Sequence, residues 1–166
     1  MSEAKQHVAE VLRRAIKGEV DGHRFYKLLA EKAANADAKR KLEGLRDDEF
    51  RHRQTLHGLF EKHVGGDVGR LPDEGISVLS EIFSKGQLHE SRTEMEYISL
   101  AIEAELAATK YYQQERDLID DPSFKAVFDE LAEEEHSHFQ LLQAEKDALG
   151  GNYSWFGYEE GAPLED

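Results

Sequence analysis

Apolar positions recur three and four residues apart through most of this chain, and no stretch alternates with the two-residue period of a strand. Between residues 3 and 33, Val8, Leu12, Ala15, Ile16, Tyr26 and Leu29 fall on one face, and Glu19 falls on it too. That spacing predicts a first helix. A second is expected over 36–63, capped by Asn35 and stopped before 65-GGDVG-69. The connection over 64–90 should hold a short helix in 73-DEGISVLSEIF-83, after Pro72. A third helix is expected over 90–119. The fourth should begin at Asp121-Pro122, a cap with proline in the first helical position, and end at 150-GGN-152. Two helices, a long crossover and two more helices predict an all-α four-helix bundle over residues 1–150, followed by an irregular tail over 151–166.

The polar positions inside that pattern are not random. In 45-LRDDEFRHRQTL-56, Glu49 and His52 share a helical face with Leu45 and Leu56. The same pattern returns in 131-LAEEEHSHFQLL-142. Sliding the chain by 86 residues lays Glu19 on Glu105, Tyr26 on Tyr112, Glu49 on Glu135 and His52 on His138 without a gap. The bundle is therefore two repeated helical pairs, and identity between them concentrates at these positions. The interior receives four carboxylates and two imidazoles. Bare carboxylates in an apolar core cost several kcal/mol each or take up protons. Two divalent ions would balance four negative charges, and oxygen donors with one imidazole per ion suit iron or manganese.

Tyr26 and Tyr112 stand two turns beyond Glu19 and Glu105 and lean back toward them, so hydrogen bonds to those carboxylates are expected, with plain core packing as the alternative. His23 lies one turn after Glu19, and its counterpart is Thr109. It is a candidate third nitrogen ligand, proton relay or polar neighbour. His7, His57, His63, His89 and His136 have no matched partner and read as surface residues.

Composition narrows the classes. A formal net charge of −14 argues against binding nucleic-acid phosphates. No apolar run approaches a membrane span and no signal peptide is evident, so a cytoplasmic protein is expected. The absence of cysteine excludes disulfides and thiolate metal sites. The aromatics Tyr153, Trp155, Phe156 and Tyr158 should cover a bundle end or a neighbouring subunit. A homodimer is expected, and the Gly65-Gly66 hinge would let half-bundles exchange between chains.

The chain resembles the rubrerythrin-like branch of the ferritin-like superfamily over residues 8–146. The resemblance is carried by 15-AIKGEVDGHRFY-26 with 48-DEFRH-52 and by 101-AIEAELAATKYY-112 with 134-EEHSH-138. It implies a ferritin-like bundle with a centre of two iron ions per chain, manganese being an alternative, held by Glu19, Glu49, His52, Glu105, Glu135 and His138. Glu19 and Glu105 are expected to bridge or switch. It also implies that Asp48 and Glu134, the acids preceding the ligand glutamates, hydrogen-bond the outer nitrogens of the ligand histidines.

The implied activity is that of a non-haem di-iron oxidoreductase reacting with O2 or hydrogen peroxide. Rubrerythrin proper carries a four-cysteine rubredoxin module; with no cysteine here, electrons would come from an external donor. Rubrerythrin also has a glutamate three residues after the third-helix ligand, where this chain has Ala108, matched by Gly22. That substitution weakens a peroxidase assignment and its redox-linked ligand exchange. Ser137 stands where the first half has Arg51. Two other readings stay open: an iron-handling ferroxidase for storage or delivery, and a metal-free helical interaction protein.

Overall fold

Helix α1 (Glu3–Lys32) opens on Ser2, whose side chain accepts from the Lys5 amide. Helix α2 (Ala36–His63) opens on Asn35, whose side chain accepts from the amides of Asp37 and Ala38. Helices α3 (Val78–Ser84) and α4 (Glu94–Leu118) start under Ser77 and Thr93, and α5 (Pro122–Ala148) starts under Asp121 with Pro122 in its first turn. Each such cap satisfies amides that the helix leaves unpaired and contributes about 1 kcal/mol. The computed structural model describes residues 1–87 and 92–157. Among them there is no strand, only an isolated bridge between Gly150 and Tyr153.

The two helical pairs are α1 with α2 and α4 with α5; α3 lies against α1 and α4. The fold is an all-α bundle with a long crossover. No helix of the described residues is long and apolar enough to cross a membrane.

Two boundaries differ from expectation. The short crossover helix begins at Val78, not at 73, because Ser77 turns its side chain to the Leu79 amide (3.2 Å) and stops the helix there. The preceding loop is fastened to α1: Arg14 Nε donates to the Gly75 carbonyl (2.9 Å), and Arg13 Nε to the Val68 carbonyl (2.7 Å). Helix α4 begins at Glu94 because Thr93 accepts from the Glu96 amide (3.1 Å), so residues 92–93 are not helical.

The hydrophobic core is divided. One cluster gathers Leu12, Ile16, Leu56, Phe60, Tyr112, Phe124 and Phe128. The other gathers Phe25, Tyr26, Leu29, Leu42, Tyr97, Ile98, Leu142 and Trp155. Buried Glu19, Glu49, His52, Glu105, Glu135 and His138 belong to neither. The described part of the tail closes a bundle end. Trp155 is 1% exposed, and its carbonyl accepts from the amides of Ala34 (2.8 Å) and Asn35 (3.2 Å) in the α1–α2 turn. Tyr158 and His89 lie outside the described residues.

Candidate metal centre

Each helical pair contributes three side chains at one level: Glu19 from α1 with Glu49 and His52 from α2, then Glu105 from α4 with Glu135 and His138 from α5. The helical period delivers them, since Glu49 and His52, like Glu135 and His138, are three residues apart on the core face. All six are buried. They form two groups whose ligand atoms all lie within 4.8 Å of one another: Glu19, Glu49, His52 and Glu135, then Glu49, Glu105, Glu135 and His138.

Glu49 and Glu135 stand in both groups, whereas Glu19 and Glu105 each stand in one. The geometry differs from the expectation that Glu19 and Glu105 bridge or switch in one respect: the carboxylates shared by the two groups are those of α2 and α5. The cause is that each shared glutamate lies close to both halves, as the contacts of His138 Nδ1 with Glu49 (3.3 Å), Glu105 (3.4 Å) and Glu135 (3.5 Å) illustrate. His52 Nδ1 lies 2.7 Å from Glu135 and 3.5 Å from Glu19. Both imidazoles thus turn Nδ1 inward, and their rings stack 5.8 Å apart.

The outer nitrogens are held across the repeat. His52 Nε2 bonds Glu134 of the other half, and His138 Nε2 bonds Asp48 at 2.9 Å. The tyrosines cross over as well. Tyr26 donates to Glu105 and Tyr112 to Glu19, each at 2.5 Å. Neither reaches the glutamate on its own helix. Seven residues rise about 10 Å along an α-helix, beyond a tyrosine's reach, so the partner is the glutamate facing it from the other pair.

Arg51, noted in the sequence only as the counterpart of Ser137, has a role that its spacing did not assign. Its guanidinium binds Glu134 at 2.8 Å and Asp48 at 3.2 Å, tying together the two acids that hold the histidines. His23 does not join the cage. It is half-buried, with Nδ1 3.2 Å from the Arg46 carbonyl and its ring tilted against Phe50.

The electrostatics are those of a strained anionic cluster. Burial raises Glu19, and Glu135 raises it further. Burial also drives Glu49 and Glu105 well above the usual carboxylate range, again with help from Glu135. Burial pushes Glu135 up too, but the close approach of Glu105, His138 and His52 outweighs it and holds that carboxyl well below. Burial opposes a charge on His52, yet Glu135 and Glu19 push its pKa up to about 12. His138 is raised in the same way by Glu105, Glu135 and Glu49, against burial.

Glu19 Oε2, Glu49 Oε1, Glu105 Oε2, Glu135 Oε2 and His138 Nδ1 are buried with no hydrogen-bond partner. Buried polar atoms are normally satisfied. Five orphans in one cluster, all oxygen or imidazole donors, fit a pair of divalent cations of the iron or manganese type.

Glu145 is a second buried acid that the sequence reading passed over. Its carboxylate accepts from Lys41 Nζ (2.5 Å), Trp155 Nε1 (3.1 Å) and the Tyr153 hydroxyl. The signal was available: its counterpart 86 residues earlier is Leu59, a core position in the other half.

A family model described as rubrerythrin matches residues 10–85, which include Glu19, Glu49, His52 and the crossover through α3. Among solved structures, a hypothetical protein from Pyrococcus furiosus is 28% identical, with a TM-score of 0.75, over 86% of this chain and 89% of that one. None of the curated proteins matches the chain. The chain is an all-α bundle of ferritin-like fold, and it resembles rubrerythrin in its own two half-sites and in the family match across the first of them.

Proposed function

We propose that this chain is a non-haem di-iron oxidoreductase, with manganese as an alternative in one position, that reacts with O2 or hydrogen peroxide. The observation that carries the reading is the pair of four-residue groups sharing Glu49 and Glu135, with an orphaned oxygen on every one of their glutamates. Glu19, Glu49, His52 and Glu135 would hold one ion, and Glu49, Glu105, Glu135 and His138 the other. Bound iron would supply the electrons that reduce a small oxidant.

The chain's own groups do the rest. Tyr26 and Tyr112 fix the terminal carboxylates Glu105 and Glu19. Asp48 and Glu134 accept from Nε2 of each histidine, so Nδ1 is the nitrogen that would face a cation. Arg51 offsets the charge of both outer acids. The two aromatic-rich core clusters keep bulk water away from the carboxylates. No thiolate electron-transfer centre can be built from these residues, so the electrons are assigned to a separate donor.

Metal analysis of protein purified without an affinity tag tests the reading. Two ions per chain are expected, together with oxidation of the Fe(II)-loaded protein by O2 or peroxide. The Glu49→Ala/Glu135→Ala double variant removes both shared carboxylates and should lose binding and reactivity. If it binds iron and consumes peroxide as the parent does, the reading fails.

A further inference from the structure

A small cavity of about 20 Å³ lies beside the carboxylates on the α1–α4 side of the cage. Space of this size holds roughly one water-sized molecule. Its walls are Gly18 and Gly22 of α1 and Ala104 and Ala108 of α4, which coincide in the repeat. Its floor is Glu19, Glu49, Glu105 and Glu135, each buried with an unpartnered oxygen. Neither histidine reaches it. The histidine side of the cage is instead occupied by Asp48, Glu134 and Arg51.

The roof comes from the crossover: Ile76, Ser77 and Leu79. Ile76 and Ser77 also line a larger open groove on the outer surface, so these two residues are the wall between solvent and the cage. Ile76 is pressed onto Gly18 so closely that a Cβ there would fall 2.6 Å from its Cδ1. The backbone under it is fixed by the Arg14 bond to the Gly75 carbonyl and by the close fit of Gly75 against Asp21 and Lys17. What can move in this wall is therefore the Ile76 side chain.

We infer that Ile76 is the specificity-determining gate of the metal centre, admitting diatomic or similarly small oxidants past Gly18 and excluding branched organic ones. The inference rests on the proposed oxidoreductase reading and adds the size class of its oxidant and the residue that sets it.

The test compares the Fe(II)-loaded parent with Ile76→Ala and Ile76→Val. Nitric oxide binding, followed by absorption without turnover, should quicken several-fold in Ile76→Ala and less in Ile76→Val. In single oxidations the parent should prefer hydrogen peroxide over tert-butyl hydroperoxide by a hundredfold or more, and Ile76→Ala should shrink that preference at least tenfold. Metal-free crystals under xenon give a reading independent of any reaction: xenon should settle beside Gly18 in Ile76→Ala and not in the parent. Unchanged nitric oxide rates and peroxide preference in both variants would overturn the gate. So would a failure of xenon to distinguish the two proteins if no metal loads. A parent that binds nitric oxide but reacts with neither O2 nor peroxide would end the oxidoreductase reading and leave the gate to be judged on the nitric oxide rates.

Discussion

At Gly22 a single missing methyl shapes the cage. A Cβ there would lie 2.5 Å from Glu49 Oε2, and Glu49 belongs to both ligand groups. The clash is with the end of a side chain, so the helix would survive and the carboxylate would swing. Alanine is also favoured over glycine inside a helix by roughly 0.5–1 kcal/mol. Gly22→Ala should therefore leave the metal-free protein as stable or slightly more so, while weakening metal affinity ~10-fold, the scale seen when groups that position ligands are disturbed. Thermal melting with and without metal, beside a metal titration, separates the two effects. Unaltered affinity would mean that Glu49 reorients at no cost.

The tyrosines give a second expectation at this scale. Tyr112→Phe strips a buried hydrogen bond from Glu19 and Tyr26→Phe one from Glu105, each worth about 1–3 kcal/mol where a charged group accepts it. A double-mutant cycle of Tyr112→Phe with Glu19→Gln should give a coupling energy, whereas one with Glu105→Gln should be additive. The reverse outcome would place the tyrosine on its own helix's glutamate. Sequence spacing identified these residues but assigned the wrong partners. Period along one helix says which face a side chain is on; it does not say which opposing helix brings its counterpart level.

At the scale of elements, the four long helices were legible because apolar period, caps and glycine stops agree on them. The start of α3 was not, since Ser77 caps it while Arg14, reaching Gly75 across 61 residues, holds the stretch before it as loop. The tail was legible as too aromatic to lie in water and as a cover for a bundle end or a neighbouring subunit, and its described part covers a bundle end. Its anchor, Glu145, looks like ordinary surface when read as a lone acid late in a charged helix, and only its match to core Leu59 in the other half marks it as buried. Burial pushes Glu145 up, but Lys41, Tyr153 and Trp155 outweigh it and hold its carboxyl below the ordinary value of 4.5. The folded value is thus the lower one. Its contribution is complete above the unfolded pKa and disappears as pH falls through the folded value.

Trp155 is the chain's one tryptophan, so its emission reports the tail directly. On acidification it should shift to the red before helical content falls. Glu145→Gln should show part of that shift already at neutral pH. Simultaneous loss of both signals, with no effect of Glu145→Gln, would mean the tail has no clasp of its own. Trp155→Ala removes a fully buried ring and should cost about 3–5 kcal/mol.

On the scale of the whole molecule, neither half can complete a site. One group takes Glu135 from the second half, and the other takes Glu49 from the first. A pair of ions would therefore cross-link residues 86 positions apart in sequence and close the polar layer between the two core clusters. Raised values at Glu19, Glu49, Glu105, His52 and His138 mean that these groups hold protons more tightly in the folded chain, at the positions where cations would bind. Binding must expel them, so metal uptake should release protons and apparent affinity should rise with pH. At a hundredfold excess over Kd one ion adds about 2.7 kcal/mol. For a chain of this length that amounts to ~5–10 °C in Tm. Melting curves with Fe(II) or Mn(II) under nitrogen, with and without chelator, and an indicator-dye record of protons released measure both quantities. Stabilisation without proton release would place the ions elsewhere on this acidic surface. Neither effect, at any pH at which the protein stays folded, would leave the matched glutamates and histidines as a protonated core and favour the metal-free helical reading over the di-iron one.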